Sequence, residues 1–195
     1  MLHAVKASFR HSNPMKNIPD PSRALPKERL KIAVLIRGFF TTGGAERYAV
    51  ELTRRLARTH EVHVFAQEWS FEGAEKIIFH KIPRFFIKPS YLNQLVFSFF
   101  TRRALDPSFD IIHSHERVTR FDVLTVHCPC FRSSITGKKS LWKNAFSNLS
   151  IALSPRKAAY LWLEKKQFSF TRKRLLIAVS EKVKRDVQNL SLIHI

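Results

Sequence analysis

The sequence predicts an α/β domain built on a doubly wound, mostly parallel sheet, and three observations carry that prediction. Residues 31–36 (KIAVLI) and 175–179 (LLIAV) are continuous apolar runs of strand length, the pattern of strands covered on both faces. Shorter apolar segments recur between them, separated by stretches whose apolar residues fall at helical spacing. A paired-glycine turn joins the first run to one of those helices, so the chain's ordered part opens as a βαβ unit.

Residues 1–30 hold Pro14, Pro19, Pro21 and Pro26, scattered cations and no periodicity, and are expected to form a disordered or loosely packed leader. After the strand at 31–36 comes a turn ending in Gly43 and Gly44. Ala45, Tyr48, Ala49, Leu52 and Leu56 then recur three and four apart on a helix. Arg54, Arg55 and Arg58 sit in or near its last turns, where cations suit the helix dipole. Strands are expected at 61–66, 76–82, 110–114 and 122–126, with a helix over 90–104 before the fourth strand. Residues 131–174 read as mostly helical, with Pro155 opening a helix through Tyr160, Leu161 and Leu163. Ser180 and Glu181 form an N-cap and first turn after the last strand. The ordered domain is thus expected over residues 31–190.

Charge is the unusual part of the composition. Thirty-four Lys and Arg face 15 Asp and Glu, for a formal charge of +19. That balance favours anionic partners: a phosphorylated substrate, an anionic membrane surface or nucleic acid. Residues 131–174 hold eleven of the cations against the single acid Glu164, interleaved with Trp142, Phe146, Tyr160, Trp162, Phe168 and Phe170. Such a stretch suits an interfacial helix, an anionic glycan or single-stranded nucleic acid, and equally a solvated amphipathic helix with its aromatics in the core.

The two cysteines, Cys128 and Cys130, stand one residue apart and cannot staple a fold, which points to a reducing compartment. No secretory signal is visible. The longest apolar-aromatic stretch, residues 91–100, contains Asn93, Gln94 and Ser98 and is too short to span a bilayer. A soluble, cytoplasmic protein is expected, with peripheral attraction to the inner face of the membrane.

Ligands of open parallel sheets bind beyond the carboxyl ends of the strands. Those ends carry Arg37-Gly38 and Gly43-Gly44, then Gln67, then His113-Ser-His115-Glu116, then His127. Any one strand end turns polar as it meets solvent; the collection at one rim is the signal. Gly43 and Gly44 let backbone amides and a helix N-terminus approach an anion closely, although the same pair also serves a plain tight turn. Neither a dinucleotide fingerprint nor a P-loop is present. His113, His115, Glu116, His127, Cys128 and Cys130 make a metal site conceivable, but their spacing matches no standard zinc pattern, and no metal is expected. His115 reads better as a hydrogen-bond donor to substrate, with His113 or His127 a satisfied core residue.

Four segments in this order, Gly43-Gly-Ala-Glu-Arg47, Phe109-Asp-Ile-Ile-His-Ser-His-Glu116, Leu124-Thr-Val-His127 and Leu176-Ile-Ala-Val-Ser-Glu-Lys-Val183, resemble the N-terminal domain of retaining glycosyltransferases of family 4. The turn and the Trp162-Leu-Glu164 helix look most like the bacterial lipopolysaccharide core glucosyltransferases. The resemblance implies a GT-B fold with a Rossmann-like acceptor-side domain. It implies transfer of a sugar from a nucleotide-diphosphate donor to a cell-envelope glycan or glycolipid, without metal or cofactor. Gly43 and Gly44 would meet the donor diphosphate, His115 would be catalytic beside the transferred sugar, and Glu116 and His127 would be further substrate contacts. The donor domain that such enzymes add after residue 190 has no counterpart in this sequence, so a truncated chain, inactive alone, is expected. The competing expectation is a non-enzymatic basic module for nucleic acid or anionic membrane; specific nucleic-acid recognition is not expected.

Overall fold

The computed structural model describes residues 3–5, 29–70, 73, 76–131, 154–168 and 174–192. In chain order the strands are β1 His3–Val5, β2 Lys31–Leu35, β3 Gly38–Phe39, β4 Glu61–Ala66, β5 Glu68–Trp69, β6 Ile77–Lys81, β7 Ile111–Ser114, β8 Val123–Val126 and β9 Leu175–Ala178. The helices are α1 Gly44–Ala57, α2 Ser90–Ala104, α3 Pro155–Phe168 and α4 Glu181–Leu192.

Seven strands form the main sheet in the order β1-β9-β8-β7-β2-β4-β6. Six are mutually parallel, and β1 alone runs antiparallel, against β9. Along the chain the parallel strands first build outward from β2 through β4 to β6, then return to the other side of β2 with β7, β8 and β9. The order therefore reverses between β2 and β7, and their carboxyl ends flank a crevice where the connections diverge.

Period-two alternation on β2 explains how both faces are covered. Ile32, Val34 and Ile36 point to one side and pack with Val62, Val64, Ala49 and Val50 under α1. Ala33 and Leu35 point to the other and pack with Phe65, Ile112, Leu124 and Phe97 of α2. A third cluster joins Phe168 of α3 to Ala178 of β9 and to Val183 and Val187 of α4. Ser180 caps α4 as its position suggests, its Oγ accepting from the Val183 N–H at 3.3 Å.

The doubly wound parallel sheet is as predicted, with two additions. β1 falls inside the expected leader: Ala4 pairs with Ile177 and completes the sheet's edge. Three residues without a turn signal carry no local mark of a strand, so only the neighbouring β9 defines it. β3 and β5 make a small parallel sheet of their own, Gly38 opposite Glu68, within what reads as turn sequence. Both emerge from adjacent strands, and Arg37 O accepts from Gln67 N–H and Glu68 N–H at 2.9 and 3.1 Å, which holds them in register. Most of the basic stretch at 132–153 and residues 169–173 lie outside the described residues, as do residues 6–28 of the expected leader.

Candidate functional site

The rim where the strand order reverses is built first by the turn after β2. Gly43 takes φ 90° and ψ 161°, a conformation essentially reserved for glycine, and its carbonyl accepts from the Arg47 N–H at 3.4 Å to start α1. Gly43 supplies no side-chain cap hydrogen bond to this helix, whose first turn carries the positive end of the dipole and the Glu46 carboxylate, which lies against Gly43. A Cβ on Gly44 would meet nothing within 4 Å, and Gly44 has ordinary helical geometry. The two glycines are therefore different. We expect Gly43→Ala to cost about 1–3 kcal/mol of stability, and Gly44→Ala to add about 0.4–1 kcal/mol, both read from urea unfolding.

Across the crevice, β7 delivers His115 and Glu116. The His115 N–H still donates to Leu35 O of β2 at 2.9 Å, so its backbone is fixed by the sheet rather than by a loop. Ser114 Oγ donates to Glu116 O at 2.9 Å and lies 3.1 Å from the Glu116 N–H, bending the chain sharply. Gln167 of α3 donates to the same Glu116 carbonyl at 3.1 Å. The Glu116 carboxylate lies 3.1 Å from Arg37 Nε, bridging the ends of β7 and β2.

Three imidazoles meet here. His115 Nδ1 is 3.1 Å from Nε2 of His127, which follows β8, and Tyr48 of α1 lies edge-on to both rings at 5.9 and 5.4 Å. His113 lies beneath, its Nε2 2.8 Å from Thr125 Oγ1 and its ring 4.5 Å from that of His115. Burial penalises the charged form of all three. His113 is lowered to about 4, His115 well below the usual imidazole range, and His127 less far, partly offset by the Glu46 carboxylate. All three are neutral at pH 7. His115 Nε2 is buried and has no hydrogen-bond partner among the described residues. A buried polar atom left unpaired is costly, and such atoms mark places where a ligand supplies the missing partner.

A cavity of about 200 Å³ opens against this cluster, lined by Arg37, Glu46, His115, Glu116, His127 and Gln167 among others. Gly43 and Gly44 do not line it; the next residues of their turn, Ala45 and Glu46, do. His115, Glu116 and His127 thus line one cavity, with the glycine turn at its margin. His113 is the satisfied core histidine. Cys128 is exposed and Cys130 buried, the latter pushed up to about 12 by burial and by Glu164. Among the described residues no three metal-binding side chains are grouped to hold an ion. Tyr48, Thr125 and Gln167 carry no site expectation from the sequence, and Arg37 only its place at the rim. Arg37 was marked by its place directly after a buried strand; Gln167 had no mark, since only packing brings α3 to Glu116.

The family model for Glycosyltransferase Family 4 matches residues 42–194. Among solved structures, the crystal structure of WaaG, a glycosyltransferase involved in lipopolysaccharide biosynthesis, is similar with a TM-score of 0.65 at 17% identity. The match covers 81% of this chain and 41% of that one, so the chain spans less than half of WaaG's length. No curated protein matches the sequence.

Proposed function

For a chain that belongs to glycosyltransferase family 4 and carries a GT-B-type α/β fold, we propose that this domain forms the acceptor side of a sugar-transfer cleft. The donor is a nucleotide-diphosphate sugar, the acceptor a cell-envelope glycan of lipopolysaccharide type presented at an anionic membrane, and the anomeric configuration is retained. The observation that carries the reading is the neutral, half-buried His115, whose buried Nε2 is unpaired among the described residues, in the wall of a crevice bordered by the start of α1.

The diphosphate sits against the first amides of α1, where Gly44 leaves open space and the helix dipole favours negative charge. Arg37 supplies a cation beside it. With His127 Nε2–H donating to Nδ1 of His115, the proton of His115 resides on Nε2 and is offered to a hydroxyl of the transferred sugar. A neutral imidazole suits this role, because it positions the sugar without repelling cationic charge developing at the anomeric carbon. In the transfer, the bond from C1 to the phosphate oxygen breaks and the nucleoside diphosphate leaves with the electron pair. The acceptor oxygen bonds C1 on the same face, and its proton passes to the departing phosphate. Glu116, held by Arg37, accepts from a sugar hydroxyl and is not a nucleophile. His127 acts through His115 rather than on the sugar, a change from the direct contact expected of it.

The test joins this domain to a donor-binding domain and follows transfer of labelled hexose from nucleotide-diphosphate donors to lipopolysaccharide-type acceptors, with product anomers assigned by NMR. Retained configuration is expected, together with nucleotide-diphosphate-dependent shifts of the Gly44 and Ala45 amides and the His115 ring. Gly44→Ala, stable as argued above, is expected to weaken donor binding about tenfold by crowding the phosphate. Inverted product, or donor binding that leaves those signals unmoved, would overturn the proposal.

A further inference from the structure

The helix α2 is built inside out. Its buried side carries Asn93, Gln94, Ser98 and Thr101 beside Phe97, while Phe99 on the opposite side is 61% exposed. The inward polar groups are satisfied: Asn93 and Gln67 exchange two hydrogen bonds at 2.8 and 2.9 Å, and Gln94 donates to Arg117 O. Folding therefore places the polar residues inside and leaves the aromatic outside, which core formation alone does not explain.

Next to Phe99 lies the segment that enters α2. Phe85 is 64% exposed, Phe86 39% and Ile87 78%. The Phe85 ring lies 5.8 Å from that of Phe100, and the Phe100 ring 5.3 Å from Phe99, so loop and helix share one apolar patch. Exposed cations flank it at Arg84, Lys88, Arg102 and Arg103. Arg84 is paired with Glu68; Lys88, Arg102 and Arg103 have no ion-pair partner among the described residues. Between residues 76 and 105 there are six Lys and Arg and no Asp or Glu.

We infer that this patch is a membrane-docking surface: Phe85, Ile87 and Phe99 insert at the headgroup boundary of an anionic bilayer while Lys88, Arg102 and Arg103 meet its phosphates. Its tips are Phe and Ile, which have no hydrogen-bonding group, unlike the Trp, Tyr and Arg that anchor protein interfaces. The cations form a rim, the arrangement of an interfacial anchor. The formal +19 extends well beyond the patch, which suits an extended anionic surface better than one bounded partner. Among the described residues no helix is long and apolar enough to cross a membrane, so any attachment through them is from the side. The surface rests on the membrane contact proposed above and gives it an address outside the cleft and apart from the basic stretch at 132–174.

The test is flotation of the full chain with phosphatidylcholine vesicles, with and without phosphatidylglycerol. Binding is expected only with the anionic lipid. Arg102→Gln with Arg103→Gln should weaken it roughly 25-fold, at about fivefold per cation. Phe85→Ser with Ile87→Ser and Phe99→Ser should weaken it at least about 30-fold. All five positions are exposed, so circular dichroism and urea midpoints should stay unchanged, and donor binding in the cleft should persist. Vesicle binding that survives both sets of substitutions overturns the patch while leaving membrane contact standing. No vesicle binding by the wild-type chain overturns both. A dimer in sedimentation that the aromatic substitutions dissolve assigns the patch to a second copy instead and likewise overturns it.

Discussion

In an enzyme that pairs this domain with a donor-binding domain, replacing His115 by alanine should lower kcat for sugar transfer by about 10²–10³-fold, the usual loss when one preorganised donor is removed from a water-poor site. Stability should change far less. The native side chain holds an unpaired buried Nε2, and removing an unsatisfied polar atom recovers part of the packing lost with the ring. His115→Gln, whose amide nitrogen reaches about where Nε2 lies, should restore part of the rate. His127→Ala keeps His115 but frees its Nδ1, so a smaller loss in kcat is expected with little change in donor KM. A His115→Ala enzyme within threefold of wild type would remove this histidine from the reaction.

Acid should unfold the protein well before its carboxylates titrate. His113 is held at about 4 in the folded chain, against about 6.5 when exposed. Above pH 6.5 both states are neutral and the full stability is present. As pH falls from 6.5 toward 4 the unfolded chain takes up a proton that the folded chain refuses, so stability is lost through that window. For His113 alone the loss is on the order of 3 kcal/mol by pH 4. His115 and His127, both lowered mainly by burial, act in the same direction, and so does His80, which stacks on Phe65 and abuts His63. Urea midpoints from pH 8 to 4 should fall steeply below 6.5, and His113→Asn should flatten the curve. A midpoint that does not move between pH 7 and 5 would mean that the three imidazoles are not buried as described.

Much of the rim was legible because parallel sheets separate their signals. A strand covered on both faces is a nearly continuous apolar run, so 31–36 and 175–179 stand out, and the polar residues that follow such strands lie at the carboxyl edge. That places His115, Glu116 and His127 at one rim before any coordinates. What the pattern does not carry is which nitrogen faces which neighbour. His127 has the same sequence credentials as His115, yet its Nε2 turns onto His115 Nδ1. The glycine pair was legible as a turn but not as two unlike residues; the φ of 90° at Gly43 depends on how the chain rises from β2 into α1.

By itself the sequence determined the six parallel strands, the helices between them and the residues available at their carboxyl ends, because backbone hydrogen bonding and two-sided burial impose local periodicities that can be read along the chain. Tertiary structure alone decided the edge strand β1, the β3–β5 pair, the burial of His113 beneath the half-buried, neutral rings of His115 and His127, and the outward turn of Phe99. Each of these depends on what packs from a distant part of the chain: β9 beside residues 3–5, Thr125 against His113, Gln67 against Asn93. Desolvation and side-chain pairing are properties of such neighbourhoods, and no local spacing encodes them.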